Sequence, residues 1–362
     1  MRKLLTLLVF VSSSFVLYAQ KMKTENVVLI TLDGMRWQEI FNGGDSAFMR
    51  QQQFLKDPKL KDKFWRNDMA ERRKALFPFL WTMVAQKGQL YGNRKAGSLM
   101  NVSNNQWFSY PGYNELLTGT PDNERIHSND KFLNPNTNVL EFIQSQPGFA
   151  KKVAAYTSWD VFPFIINEKR NGIPVSSGLV KATGQLTEEE QTLNKLMVSL
   201  PNPLGDVRLD AFTFYYGLQY MKKNKPRVMY FSFDETDDFA HGGEYAAYLN
   251  SAHNTDGFFN ELWNYLQSES MYKGKTTLII TCDHGRGPGT DDWKNHGTET
   301  PGSDQIWMAV IGPDTPATGE ITSGQNYQNQ IAKTLASLLG LEYKNQKPVG
   351  DVIQSVMTSK SK

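Results

Sequence analysis

An α/β fold, a mainly parallel central sheet with helices on both faces, is what the sequence predicts, on three observations. Short apolar runs rich in β-branched residues recur at NVVLITL, KKVAAYTSW, RVMYFSF, TTLIITC and QIWMAVIGP, and runs of that length and composition read as buried strands. Helical or irregular stretches separate them, which favours parallel pairing through crossovers. Some runs also end on side chains suited to chemistry, Asp33 after the first and the adjacent Asp283 and His284 after LIITC. Open α/β sheets bind ligands beyond the carboxyl ends of their strands.

In chain order, the first strand closes on Asp33 and Gly34. A polar stretch from Asp57 to Arg73 reads as a helical surface excursion, ALFPFLWTMVAQKG as a buried helix and QLYGN as the next strand. NNQWFSYPGY is expected to end as the strands do, carrying Ser109, with Pro111 in the first turn of a helix through YNELLTG. KKVAAYTSW is the following strand, and RVMYFSFDETDD leads into His241. Between Glu244 and Ser268, Leu249, Ala252, Phe259, Trp263 and Leu266 recur at helical spacing. Asp256 falls on that stripe, either in a buried hydrogen bond near the site or at a partly exposed edge. His253 beside it is read as structural. After TTLIITCDH and QIWMAVIGP, the segment NQIAKTLASLLGL forms a core helix closed by Gly340.

The chain has 362 residues, with 39 Lys and Arg against 37 Asp and Glu, so its formal charge is +2. The one compact basic run, MAERRKAL, reads as a solvated helix face, and no nucleic-acid partner is expected. Residues 1–19 read as a secretory signal: Arg2 and Lys3, then LLTLLVFV, then Ala19 at the cut, with the mature chain starting near Gln20. Ser12, Ser13 and Ser14 break the apolar stretch, which is short for a membrane anchor. Residues 20–362 are expected to form a single catalytic domain, secreted or periplasmic and without a membrane anchor after cleavage. Cys282, the only cysteine, sits in a strand and reads as a small core residue.

The chemistry-bearing residues form a pattern. Asp237 and His241 are four apart, within reach of one ion, and His296 stands in the glycine-containing loop WKNHGTET. Singly each is ordinary: Asp33 alone is as readily a turn or helix cap, and an Asp–His pair occurs by chance. Together they supply what a bimetallic hydrolase needs, carboxylates and imidazoles to hold two cations about 3.5–4 Å apart, plus a nucleophile. Mixed nitrogen and oxygen donors suit zinc.

LITLDG, SYPGYNELLTG, DETDDFAH, CDHGRG and NHG, in this order from Asn26 to Gly312, resemble the alkaline phosphatase superfamily, in particular its phosphodiesterase-like and phosphoglycerate-mutase-like members. The resemblance implies an alkaline-phosphatase-like fold and two Zn2+, with Asp33, Ser109, Asp283 and His284 around one and Asp237, His241 and His296 around the other. Asp237 is taken from Asp234, Asp237 and Asp238 because the family's Asp-to-His step is four. The resemblance makes Ser109 the nucleophile, where its ordinary role would be a helix cap. It makes Asn129 a donor to a phosphate oxygen, where its ordinary role would be in a turn. Arg36 and Arg286 either pair with a substrate anion or form structural salt bridges. Trp107, Phe108, Tyr110 and Tyr113 either wall the leaving group or pack the core.

Ser109-Tyr110-Pro111-Gly112-Tyr113 departs from the sulfatase pattern C/S-x-P-x-R by lacking the arginine, and LDG lacks the doubled aspartate of those calcium enzymes. The function implied is an exported zinc phosphohydrolase that cleaves small-molecule phosphate monoesters or diesters through a phosphoseryl intermediate. The alternatives are a sulfatase, a phosphoglycerate-mutase-like phosphotransferase, or a non-catalytic binding protein containing zinc.

Overall fold

The structure is a computed structural model that describes residues 22–358; the signal expected at residues 1–19 lies outside the described residues. Its strands are β1 (Asn26–Leu32), β2 (Gln89–Tyr91), β3 (Ser98–Asn101), β4 (Val153–Thr157), β5 (Val175–Ser177), β6 (Val228–Phe233), β7 (Thr276–Thr281), β8 (Met308–Ile311), β9 (Gly319–Glu320) and β10 (Gly324–Tyr327). Eight of them make one sheet in the order β5-β4-β6-β1-β7-β8-β2-β9, and β10 pairs with β3 separately. Every residue of β1, β6 and β7 is buried, so both faces of the sheet's centre are covered. That double burial explains why these strands are continuous apolar runs rather than alternating ones.

Register places the strand ends level. β1 pairs in parallel with β6, ending at Leu32 opposite Phe233, and with β7, ending at Thr31 opposite Thr281. The residues that follow, Asp33, Asp234 and the Cys282–His284 run, therefore emerge side by side at one edge of the sheet.

Three expectations need correction. QIWMAVIGP is a strand, but it runs antiparallel to both β7 and β2. No crossover returns the chain after β7; the segment 282–307 stays near the sheet's carboxyl edge before β8 descends, which only antiparallel pairing permits. Second, Ser109 does not follow a strand: residues 102–108 are irregular, and Ser109 opens the helix Ser109–Thr118. The short strands β3, β5, β9 and β10 were not anticipated, since SLMN, VSS, GE and GQNY carry too few apolar residues to signal burial. Third, Asp256 lies neither near the site nor at an exposed edge.

Asp256 is fully buried in the helix Tyr245–Ser268 and accepts the backbone N–H groups of Phe79 at 2.6 Å and Leu80 at 3.1 Å. The helix Met69–Leu76 ends before Pro78, and a new helical segment starts at Leu80, so two N–H groups at its start need an acceptor. Asp256 is that acceptor. His253, on the same helix, bonds the Leu76 carbonyl through Nδ1 at 2.8 Å, the structural role expected of it.

Replacing Asp256 with Ala should destabilise the fold by about 1–3 kcal/mol, because both N–H groups lose their partner. Burial, opposed by those two N–H groups, pushes the Asp256 carboxyl up to about 7. The folded state therefore keeps a proton that the unfolded chain releases above about pH 4, and Asp256's contribution weakens as pH rises through 7. The deficit of Asp256→Ala should be largest near pH 4 and narrow toward pH 8, as urea unfolding at several pH values would show.

Candidate active site

The backbone turns sharply after Asp33, with Gly34 at φ +57°, and the Gly34 N–H donates to Asp283 Oδ1 at 3.1 Å. A side chain at Gly34 would start 2.6 Å from Asp237 Oδ1 and 3.2 Å from His284 Cε1, so the glycine lets two strand ends approach. His284 bonds the carbonyl of Gly285 through Nδ1 at 2.9 Å. A carbonyl only accepts, so Nδ1 carries the proton and Nε2 offers a lone pair. That Nε2 lies 3.3 Å from Asp33 Oδ1, 3.5 Å from Asp283 Oδ2 and 3.4 Å from Ser109 Oγ.

The short helix Glu235–His241 follows β6 and presents Asp237 and His241 on one face, His241 Nε2 being 3.1 Å from Asp237 Oδ2. His296 arrives from the 282–307 segment, with Nε2 3.0 Å from that of His241 and 3.8 Å from Asp237 Oδ1. Two groups able to hold a cation result, Asp33 with Asp283 and His284, and Asp237 with His284 and His296. His284 stands between them, and His241 closes the second group from its exposed side. Asp237, not Asp234 or Asp238, is the aspartate brought among these histidines.

The groups are electrostatically unfinished. Burial, then the charge of Asp237, pushes the Asp33 carboxyl well above the usual carboxylate range; burial, then Asp33, does the same to Asp283. Asp237 is buried too, but Arg286, His241 and His296 hold its carboxyl well below that range. Burial and the neighbouring His284 push His296 down to about 2, so its imidazole is neutral. Asp33 Oδ1, Asp283 Oδ2 and His296 Nδ1 are buried without a hydrogen-bond partner among the described residues. Crowded carboxylates with unpartnered oxygens beside imidazoles fit divalent cations, which supply the missing charge.

Ser109 is almost fully buried at the start of its helix. Gly112 brings that helix against β7's end: a side chain there would start 2.5 Å from the Asp283 carbonyl. Tyr110 gives its N–H to Asn129 Oδ1 at 2.9 Å, and Pro111 has none, so the first turn offers its dipole more than a set of unused donors. The same bond holds Asn129 beside the nucleophile with its Nδ2 group available to donate. Glu115, which sequence reasoning missed, pins the strap before Ser109: its carboxylate accepts the N–H groups of Ser103, Asn104 and Asn329. Nothing in the sequence marks it out from other helical glutamates.

Both arginines are engaged within the chain. Arg36 is fully buried against Glu39 through two hydrogen bonds of 3.0 Å, and Arg286 bonds Asp237 and the Lys294 carbonyl. Among the aromatics, Tyr110 and Tyr113 are core residues, whereas Trp107 and Phe108 are half-buried. Cys282 is buried, as expected of a small core residue.

The chain matches the sulfatase family over residues 82–341, most of its length. It belongs to that family, within the alkaline phosphatase superfamily. Solved structures agree on the fold. Wild-type alkaline phosphatase PafA superposes with a TM-score of 0.61 at 11% identity, covering 93% of this chain and 99% of its own. The phosphonate monoester hydrolase of Agrobacterium radiobacter gives 0.55 at 15% identity, covering 92% and 77%. A 2-O GAG sulfatase gives 0.56 at 12%, covering 94% and 76%. No curated protein matches by sequence. The eight-stranded, mostly parallel sheet is thus the superfamily's, and this sulfatase-family chain is a hydrolase of a metal-dependent superfamily.

Gly34→Ala should weaken metal binding by at least about tenfold, because the new Cβ meets Asp237 and His284 from a backbone conformation alanine resists. Metal content after dialysis, with circular dichroism to show a retained fold, is the measurement. Undiminished metal content would mean that the two strand ends have room to spare.

Proposed function

We propose that this chain is an exported, zinc-dependent phosphohydrolase that cleaves small-molecule phosphate monoesters or diesters through a phosphoseryl intermediate. The observation that carries this reading is the position of Ser109, its Oγ 3.4 Å from Nε2 of His284, the residue shared by the two groups of candidate ligands. Asp33, Ser109, Asp283 and His284 would hold one zinc, and Asp237, His241 and His296 the other. The chemistry supplied by zinc there would be a lowered pKa for the Ser109 hydroxyl and positive charge beside the oxygens of the reacting phosphate.

The chain's own residues do the rest. The helix Ser109–Thr118 aims Oγ into the site, and its positive end favours the anionic substrate. Asn129 Nδ2 donates to a non-bridging phosphate oxygen, its own Oδ1 being fixed by the Tyr110 N–H. Ser109 Oγ bonds phosphorus as the ester oxygen departs, and water then breaks the Oγ–phosphorus bond to regenerate the serine. Arg286 holds Asp237 in place. Residues 1–19 would direct export, which amino-terminal sequencing of the mature protein tests.

Sulfate-ester hydrolysis is the second reading, favoured by the family match. Against it stands Tyr113, where the sulfatase pattern has arginine, engaged instead with Asp33. Purified protein assayed against aryl phosphate monoesters, diesters, phosphonates and sulfates separates the two; turnover of the sulfate alone would overturn the phosphohydrolase reading.

The protein should copurify with about two zinc ions per chain and lose activity on chelation. Calcium alone in the metal analysis would contradict this. Ser109→Ala should retain zinc yet lose turnover by orders of magnitude. Wild-type enzyme quenched during turnover of an aryl phosphate should carry a phosphoryl group on the Ser109 peptide, detected by mass spectrometry. An unmodified peptide together with an active Ser109→Ala protein would remove Ser109 from the reaction.

A further inference from the structure

Tyr113 lies one helical turn beyond Ser109, on the same side of the helix, and is fully buried. Packing alone would be met by phenylalanine, yet its hydroxyl is placed between polar groups. It donates to Asp33 Oδ2 at 2.9 Å and accepts from Ser232 Oγ at 3.2 Å. Ser232 in turn accepts from Thr31 Oγ1 at 3.0 Å, and Thr31 Oγ1 lies 3.0 Å from the Tyr230 hydroxyl. Thr31 has one proton and gives it to Ser232, so Tyr230 must be the donor at the far end. Every O–H in this buried row therefore points toward Asp33.

The row ends where the candidate metal group begins. Asp33 Oδ2 accepts the hydrogen bond from the Tyr113 hydroxyl, while Asp33 Oδ1 has no hydrogen-bond partner among the described residues and lies 3.3 Å from His284 Nε2. One oxygen is clamped and the other presented. Thr31 belongs to β1 and Asp33 follows that strand directly, Ser232 and Tyr230 belong to β6, and Tyr113 to the helix that carries Ser109. Tyr113 thus joins the nucleophile's helix to the end of β1 through the Asp33 carboxylate and to β6 through the Ser232 hydroxyl.

We propose that Tyr113 is a positioning residue that orients Asp33 for metal binding and sets its distance from Ser109. This rests on the metal-dependent reading above. A ligating carboxylate held by a hydrogen bond at its second oxygen loses rotational freedom, and removal of such outer partners typically weakens metal binding about 10–100-fold. The other cation group, built on Asp237, His241 and His296, has no bond to Tyr113 and keeps its affinity.

The test uses the full chain. Zinc affinity is measured by competition with a chromogenic chelator for wild type, Tyr113→Phe and Tyr110→Phe, with melting curves alongside. Tyr110→Phe is the control: it removes a hydroxyl from the same helix that bonds only carbonyls, the nearer being Phe132 at 2.8 Å. In Tyr113→Phe one zinc should bind about 10–100-fold more weakly and the other unchanged, with kcat reduced more than KM; Tyr110→Phe should alter neither affinity. Both zinc affinities within about twofold of wild type in a folded Tyr113→Phe protein would overturn the role of Tyr113. Should that variant not fold, Ser232→Ala removes the donor to Tyr113 and should weaken the same zinc to a smaller degree; unchanged affinity there overturns the proposal equally. A wild-type chain that binds no zinc would refute the proposed function as well, which separates the two failures.

Discussion

The level ending of β1, β6 and β7 is the constraint on which the rest of the molecule depends. Because Leu32 faces Phe233 and Thr31 faces Thr281 across the sheet, Asp33, the helix carrying Asp237, and Asp283 with His284 must leave the sheet at one edge. The strands are buried on both faces, so these carboxylates enter a poorly solvated space where like charges cost most. Burial, then a neighbouring carboxylate, pushes Asp33 and Asp283 far up, Asp237 acting on Asp33 and Asp33 on Asp283, and the chain offsets this only in part, through the Gly34 N–H, Tyr113 and Arg286. A site so arranged works against the stability of the cation-free fold. Its residues make sense as a receptacle whose charge is completed from outside.

The antiparallel entry of β8 is the second structural decision. By keeping the 282–307 segment at the carboxyl edge, it brings His296 back to the ligands supplied by β1, β6 and β7. That segment is long and irregular, and it is held by two devices. Arg36, buried with Glu39, donates to the Gly287 carbonyl at 3.1 Å. Trp293 is buried among Phe48, Phe54, Tyr245 and Tyr248 at ring separations of 5.3–6.1 Å. The buried ion pair and the aromatic cluster give a loop residue the fixed position that a metal ligand needs.

The nucleophile's helix is secured independently. Glu115 gathers the backbone N–H groups of the preceding strap and of Asn329, Gly112 lets the helix touch the end of β7, and Tyr113 reaches across to Asp33. Trp107, just ahead of Ser109, adopts φ +55°, a conformation costly for a bulky residue and sustained here because its carbonyl accepts the Gly297 N–H at 3.0 Å. That bond links the nucleophile's strap to the loop carrying His296.

The sequence by itself determined the central strands, the long helix Tyr245–Ser268 and the residues with chemical potential. Burial on both faces demands unbroken apolar runs, helical packing demands a stripe, and metal-ligand side chains are few enough to stand out: three of five histidines fall in the cluster. The family resemblance singled out Asp237 among three aspartates, through the family's four-residue step from aspartate to histidine. Tertiary structure alone decided the direction of β8, the irregular approach to Ser109, and the tasks of Asp256, Arg36, Arg286, Glu115 and Tyr113. Those outcomes depend on which polar atom meets which across long sequence separations, as when Tyr113 finds Asp33 or Asp256 finds Phe79. A side chain's type limits what it can bond, but only the folded chain decides which partner lies within 3 Å.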